Sequence, residues 1–173
     1  MGLASSVQAL LDKGADVNAR GGIYGNALQA ASHGGYEKVV QMLLDKGADV
    51  NAQGGDYGNA LYAASFRGHE KVVQMLLDKG ADVNAQGGRY GNALQAASLG
   101  GHEKVVQMLL DKGADVNAQG GIYSNALYAA SDGGHEKVVQ MLLDKGADGN
   151  ALQAASLGGH EKVVQMLLDK GAD

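Results

Sequence analysis

The residues of this chain whose types could do chemistry are five histidines, a recurrent His-Glu-Lys run and a set of glycine-rich loops. Imidazoles ligate metals or carry protons, yet His69, His102 and His135 recur once every 33 residues. Helix-packing distances of roughly 8–10 Å keep successive copies from sharing one ion. His69 and Glu70 open HEKVV, which lacks the second histidine one turn on that a zinc-protease helix requires. The loop GGIYGN at 21–26 could suggest a phosphate cradle, but it has neither the GxGxxG order nor a following Lys and Ser or Thr. It reads as a turn. Glu and Lys of each EK pair are adjacent instead of one helical turn apart, and no nucleophile can be placed beside a base. The absence of cysteine removes disulfides, thiolates and Cys-based zinc sites. The histidines are therefore expected to stabilise turns, and the chain is expected to have no catalytic residue, metal or cofactor.

Composition narrows the partners. A formal charge of -5 with acids and bases interspersed offers no basic stripe for phosphates, so no nucleic-acid partner is expected. Apolar runs fall well short of the roughly 18 residues of a membrane span, and the start MGLASSVQALLDKG has no signal-peptide pattern. A soluble, cytoplasmic chain is the expectation. Of its 173 residues 45% are apolar but only 5% aromatic, which suits thin helices packed closely through Ala, Val, Leu and Met.

The elements that position these residues repeat. The segment GADVNARGGIYGNALQAASHGGYEKVVQMLLDK begins at Gly14, and near copies begin at Gly47, Gly80 and Gly113. A fifth begins at Gly146 but lacks eight residues between Asp148 and Gly149. One domain, 1–173, is expected: a half unit at 1–13, full units at 14–46, 47–79, 80–112 and 113–145, and a shortened unit at 146–173. In each unit NALQAAS predicts an inner helix, with Asn26 as N-cap and Gln29 three residues on as in a capping box. The following YEKVVQMLLDK places Val39, Val40, Leu43 and Leu44 on one face of an outer helix that ends at Gly47. The Asn-, Gln- and Gly-rich stretch from Asp49 to Tyr57 predicts an extended excursion with a tight turn. No single pair of helices can bury its own apolar face, so the units must stack.

A 33-residue helix pair with a hairpin and the pattern GHEKVVQMLLDKGADVNAQ, as at Gly68 to Gln86, resembles the ankyrin repeat across essentially the whole chain. The GGIYGNALQAAS variant is similar to that of fungal ankyrin arrays. The resemblance implies an all-α solenoid of stacked helix-turn-helix units with projecting β-hairpin loops, and a groove lined by hairpin tips and inner helices that binds proteins. Where the family has Thr-Pro-Leu-His, this chain has Asn-Ala-Leu-Gln or Asn-Ala-Leu-Tyr, as at Asn26 to Gln29 and Asn59 to Tyr62. With that histidine goes any inter-repeat hydrogen bond it makes in the family.

The copies differ at few positions. Hairpin tips carry Ile23, Asp56, Arg89 and Ile122; inner helices end in His33, Phe66, Leu99, Asp132 and Leu157, with Arg67 replacing a glycine; Ser124 replaces Gly25, Gly58 and Gly91. By the resemblance these positions face the groove, and they are the candidate partner-binding residues. Tyr62 and Tyr128, alternating with Gln29, Gln95 and Gln153, are expected to pack beneath the hairpins and are also candidate contacts. Tyr24, Tyr57, Tyr90 and Tyr123 read as structural. The rival reading is a duplicated or designed array with no cognate partner. Because eight residues are missing after Asp148, the last hairpin is expected to be absent and the contact face to stop near Asp132 and Leu157. The chain is expected to be a monomer; the uncapped C-terminal helix from His160 to Lys170 points to fraying, self-association or a longer parent chain as alternatives.

Overall fold

The computed structural model describes residues 2–171; Met1, Ala172 and Asp173, the outermost residues of the first and last units, lie outside the described residues. The chain runs through α1 (Leu3–Asp12) and a hairpin of β1 (Arg20–Gly21) and β2 (Gly25–Asn26), paired antiparallel with Arg20 opposite Asn26. Pairs of inner and outer helices follow: α2 (Ala27–Gly34) and α3 (Glu37–Asp45), α4 (Ala60–Arg67) and α5 (Glu70–Asp78), α6 (Ala93–Leu99) and α7 (Glu103–Asp111). The last two pairs are α8 (Ala126–Asp132) with α9 (Glu136–Asp144), and α10 (Leu152–Leu157) with α11 (Glu161–Asp169). Inner helices stack on inner helices and outer on outer, forming one solenoid.

Each inner helix starts where an asparagine caps it. Asn26 Oδ1 accepts the Gln29 N–H at 2.9 Å, and Asn59, Asn92 and Asn125 do the same for their units. Among the described residues, the full capping box forms at Asn92 and Gln95 alone. In the shortened unit Asn150 does not cap, and Ala151 stands at the N-cap of α10 without a side-chain bond. Alanines of α4, α6, α8 and α10 are almost fully buried, which lets the inner-helix backbones approach closely. Val73, Leu76, Val106 and Leu109 of the outer helices have no exposed surface. Burying each such side chain contributes about 1.5–3 kcal/mol.

Polar ladders tie consecutive units. His69 Nε2 donates to the carbonyl of His33 at 3.0 Å, and His102, His135 and His160 bond Phe66, Leu99 and Asp132 likewise. The histidines thus fix each turn to the helix end of the preceding unit. Asn18 donates to the Gly47 carbonyl at 3.2 Å and accepts the Asp49 N–H at 2.8 Å, a pattern repeated by Asn51, Asn84 and Asn117. On the outer face Lys71, Lys104, Lys137 and Lys162 reach back to Glu37, Glu70, Glu103 and Glu136 at 3.4–3.6 Å. Glu and Lys of an EK pair cannot meet within a helix, but they pair across helices. These ion pairs are exposed and worth under about 1 kcal/mol each. They nevertheless give every outer-face copy a neighbour-imposed reason to stay the same.

Candidate protein-binding face

Aromatic rings meet in the seam between hairpins and inner helices. Tyr24 stacks on Tyr57 with centroids 5.6 Å apart, and the His33 ring lies 4.4 Å from Tyr57. Phe66 continues the row, 6.4 Å from Tyr57 and 5.4 Å from Tyr90. Tyr90 then stacks on Tyr123 at 5.6 Å, and Tyr123 stands 6.2 Å from Tyr128. The result is a continuous line of half-buried rings across the four full units. Such offset and tilted pairs each add about 0.5–1.5 kcal/mol beyond area burial, so the row is a rigid edge with one side open.

Around the row stand the residues that differ between units. Ile23, Asp56, Arg67, Arg89 and Ile122 are exposed, the two isoleucines by 61% and 54%. Burial, the Arg67 guanidinium and His69 together hold the His33 imidazole below its ordinary range. Burial and Asp132 raise the Tyr123 phenol, against a smaller lowering from Arg89, which places both charges near that ring. Leu99 and Asp132 are half-buried at their helix ends. Leu157 is 83% exposed at the end of α10, one unit beyond the last tyrosine of the row.

The structure gathers His33 and Phe66 in the row and sets Arg67, Arg89 and Asp132 beside it, but it removes Tyr62 from the candidate contacts. That residue is only 2% exposed. Its ring lies under the next hairpin, and its hydroxyl accepts the Tyr90 N–H at 3.1 Å. The same enclosure pushes its phenol up to about 12. Tyr62 is a floor for the hairpin and not a contact residue. Tyr24, Tyr57, Tyr90 and Tyr123, read from the sequence as structural, line the face as well. Their recurrence every 33 residues was the available signal, because equal spacing in a solenoid means vertical alignment.

Glutamine takes over the bond expected to vanish with the motif's histidine. Gln29 Nε2 donates to the carbonyls of Ala52, Gly54 and Gly58 at 3.2, 3.0 and 2.7 Å, and Gln95 grips Ala118, Gly120 and Ser124 in the same way.

Ser124 has a physical account of its own. It is the one non-glycine residue with positive φ among the described residues, at 62°. A Cβ on Gly25 or Gly58 would lie within 2.9 Å of the next hairpin's backbone. No such hairpin follows Ser124, because the chain passes from Asp148 straight toward α10. The side chain therefore fits, at the left-handed cost that glycine avoids. Ser124→Gly is expected to stabilise the chain by about 1 kcal/mol in urea unfolding; no gain would show that the site is relaxed.

Among the described residues, no group of three or more His, Asp or Glu side chains is placed to hold a metal ion, and no helix is long and apolar enough to cross a membrane. No curated protein matches the chain. The family model of ankyrin repeats in three copies matches residues 2–87, 29–120 and 95–173. With helix pairs, hairpins and a 33-residue period running through the same span, the chain belongs to the ankyrin repeat family.

Proposed function

We propose that this chain is a protein-binding scaffold without catalytic chemistry, whose partner lies along the seam between hairpin tips and inner helices. Ankyrin repeats generally mediate protein–protein interaction. The row of rings from Tyr24 to Tyr123, flanked by Ile23, Asp56, Phe66, Arg67, Arg89 and Ile122, carries the reading. Aromatic and arginine side chains on a rigid backbone are the residue types that dominate binding energy at interfaces, since they bury large areas at little entropic cost. Apart from Arg20, Tyr36 and the buried alternation of Gln29, Tyr62 and Gln95, variation is concentrated on this face, opposite an outer face whose Glu and Lys pair across units, which supports selection for contact more than drift. A cytoplasmic setting accords with a chain that has no cysteine. The chain acts as a monomer, and any self-association runs through α11, where Leu168 is 51% exposed.

The test is affinity capture from cytosolic extract with the native chain and with one carrying alanine at Ile23, Asp56, Phe66, Arg67, Arg89 and Asp132. Partners of the native chain should bind the substituted one at least about tenfold more weakly, with helicity unchanged. Equal capture by both chains sinks the assignment of the face. No specific partner for either returns the chain to the rival reading of an array without a cognate ligand.

A further inference from the structure

The basic residues of this chain are sorted by type. Every lysine lies in α1 or an outer helix or at its C-terminal end, and eight of them reach a carboxylate of the preceding unit at 3.4–3.8 Å. The three arginines, Arg20, Arg67 and Arg89, stand instead on a hairpin or at the end of an inner helix. They are exposed, and among the described residues none of them pairs with a carboxylate. Two of them flank the middle of the aromatic row. Arg67 follows Phe66 at the end of α4, and Arg89 precedes Tyr90 at the tip of the third hairpin, while the Phe66 and Tyr90 rings stack at 5.4 Å with 19° between their planes. Arg67 lies close enough to His33 to oppose its protonation, and Arg89 close enough to Tyr123 to favour its ionised form. The two guanidiniums thus reach to opposite sides of the ring pair. The dipole of α4 favours a cation at Arg67, yet α6, α8 and α10 end without one, so a helix end does not by itself require it. Asp56 on the neighbouring tip pairs with neither arginine, and with it counted the centre of the face stays positive in a chain of formal charge -5.

We propose that the centre of the face holds an extended acidic segment of a partner protein: an apolar or aromatic side chain of that segment lies on the Phe66–Tyr90 pair, and an Asp or Glu on each side of it meets the Arg67 and Arg89 guanidiniums. The inference rests on the reading of the chain as a protein-binding scaffold and names the chemistry of its partner. Charge complementarity selects the occupant. A guanidinium is a planar fork that donates two parallel hydrogen bonds to a carboxylate, and neither fork here has an ion-pair partner to give up. The outer-helix lysines are largely engaged by their own carboxylates, and the net charge of the chain repels an acidic segment from the rest of the surface, so the arginines also set where such a segment lands. The stacked rings supply a rigid apolar floor between the two charges. Nucleic acid fits less well, because three arginines with Asp56 and Asp132 among them make no stripe for successive phosphates.

The full chain is used to select binders from a phage-displayed library of random peptides of about twelve residues, about 40 Å when extended, so that no spacing of the carboxylates is imposed. Selected sequences should be enriched in Asp and Glu on both sides of an apolar or aromatic residue. The tightest binder is then synthesised and titrated with fluorescence anisotropy as the readout. Arg67→Gln together with Arg89→Gln should weaken it at least about tenfold, as should Asn and Gln in place of the peptide's own Asp and Glu. Both arginines are exposed, so helicity should not change. Lys71→Gln together with Lys104→Gln removes the same charge from the outer face and should alter the affinity by less than about twofold. Selection that yields no binder, binders without acidic enrichment, an affinity indifferent to the two glutamines, or an equal loss with the outer-face pair overturns the proposal. So does a mixed-sequence single-stranded oligonucleotide that displaces the selected peptide at comparable concentration, since the arginines would then serve phosphates. Cytosolic partners lost from the six-alanine chain but kept by the Arg67→Gln, Arg89→Gln chain remove the acidic segment and leave the scaffold reading standing.

Discussion

Gly58→Ala is expected to lower the stability of the chain by about 3 kcal/mol, combining the left-handed backbone cost of an L-residue with overpacking against atoms that cannot rotate away. Gly58 has φ 69°, and a Cβ there would lie 2.4 Å from the carbonyl carbon of Gly87 and 2.6 Å from its Cα. Both are backbone atoms of the next hairpin. Gly80 supplies the control, since it has φ 84° with nothing within 4 Å of the added carbon. Gly80→Ala should therefore cost only the conformational share, about 1 kcal/mol. Urea unfolding of the two variants separates close approach from backbone strain. Equal losses would mean that the hairpin shifts freely and that its packing on the preceding unit is loose.

The second large effect concerns the amide that grips a hairpin. Gln95 is 1% exposed, donates through Nε2 to three carbonyls of residues 118–124, and accepts the Asn92 N–H at 2.7 Å. Gln95→Ala leaves the buried Asn92 N–H and the part-buried carbonyls of the hairpin without this partner, and a cost of about 2 kcal/mol follows from the unsatisfied polar groups. Hydrogen exchange should rise selectively along 118–124, since the hairpin loses its anchor while the helices keep their apolar faces. Gln153 holds the same place in the shortened unit, is exposed, and has no hairpin over it among the described residues. Gln153→Ala should be nearly silent. A Gln95 variant as stable as the Gln153 variant would show that turn propensity alone holds the hairpin.

Along the row of rings, the candidate face varies on a fixed frame. His33 and Phe66 differ in chemistry, yet each fills the space between two consecutive tip-side tyrosines, His33 against Tyr24 and Tyr57, Phe66 against Tyr57 and Tyr90. Variation at the inner-helix end therefore changes the surface without disturbing the stack, because the positions are joined to the frame by main-chain carbonyls that accept from the histidine ladder. A scaffold can exchange such side chains while its backbone bonds stay in place.

The helices, their order and their shared inner face were legible in the sequence, because each depends on local features. Asn26 caps within three residues, Val39, Val40, Leu43 and Leu44 share a face by helical spacing, and Gly47 ends the helix with φ 84°. The period of 33 then required stacking, since one pair of helices cannot bury itself. Local spacing was silent on the hairpins. AQGGDYGN at 52–59 and AQGGRYGN at 85–92 differ at one residue, yet Gly54 and Gly55 take φ 154° and 65° while Gly87 and Gly88 have no positive φ. Beneath the first lies Gln29, which pulls three carbonyls down; beneath the second lies Tyr62, which offers a flat ring and one acceptor. The burial of Tyr62, the exposure of Tyr128 and the tolerance of Ser124 likewise follow from what the neighbouring unit places over them. Helix formation is settled within a few residues of chain, whereas hairpin shape and the exposure of the candidate face are settled by residues a full unit away, which only stacking brings together.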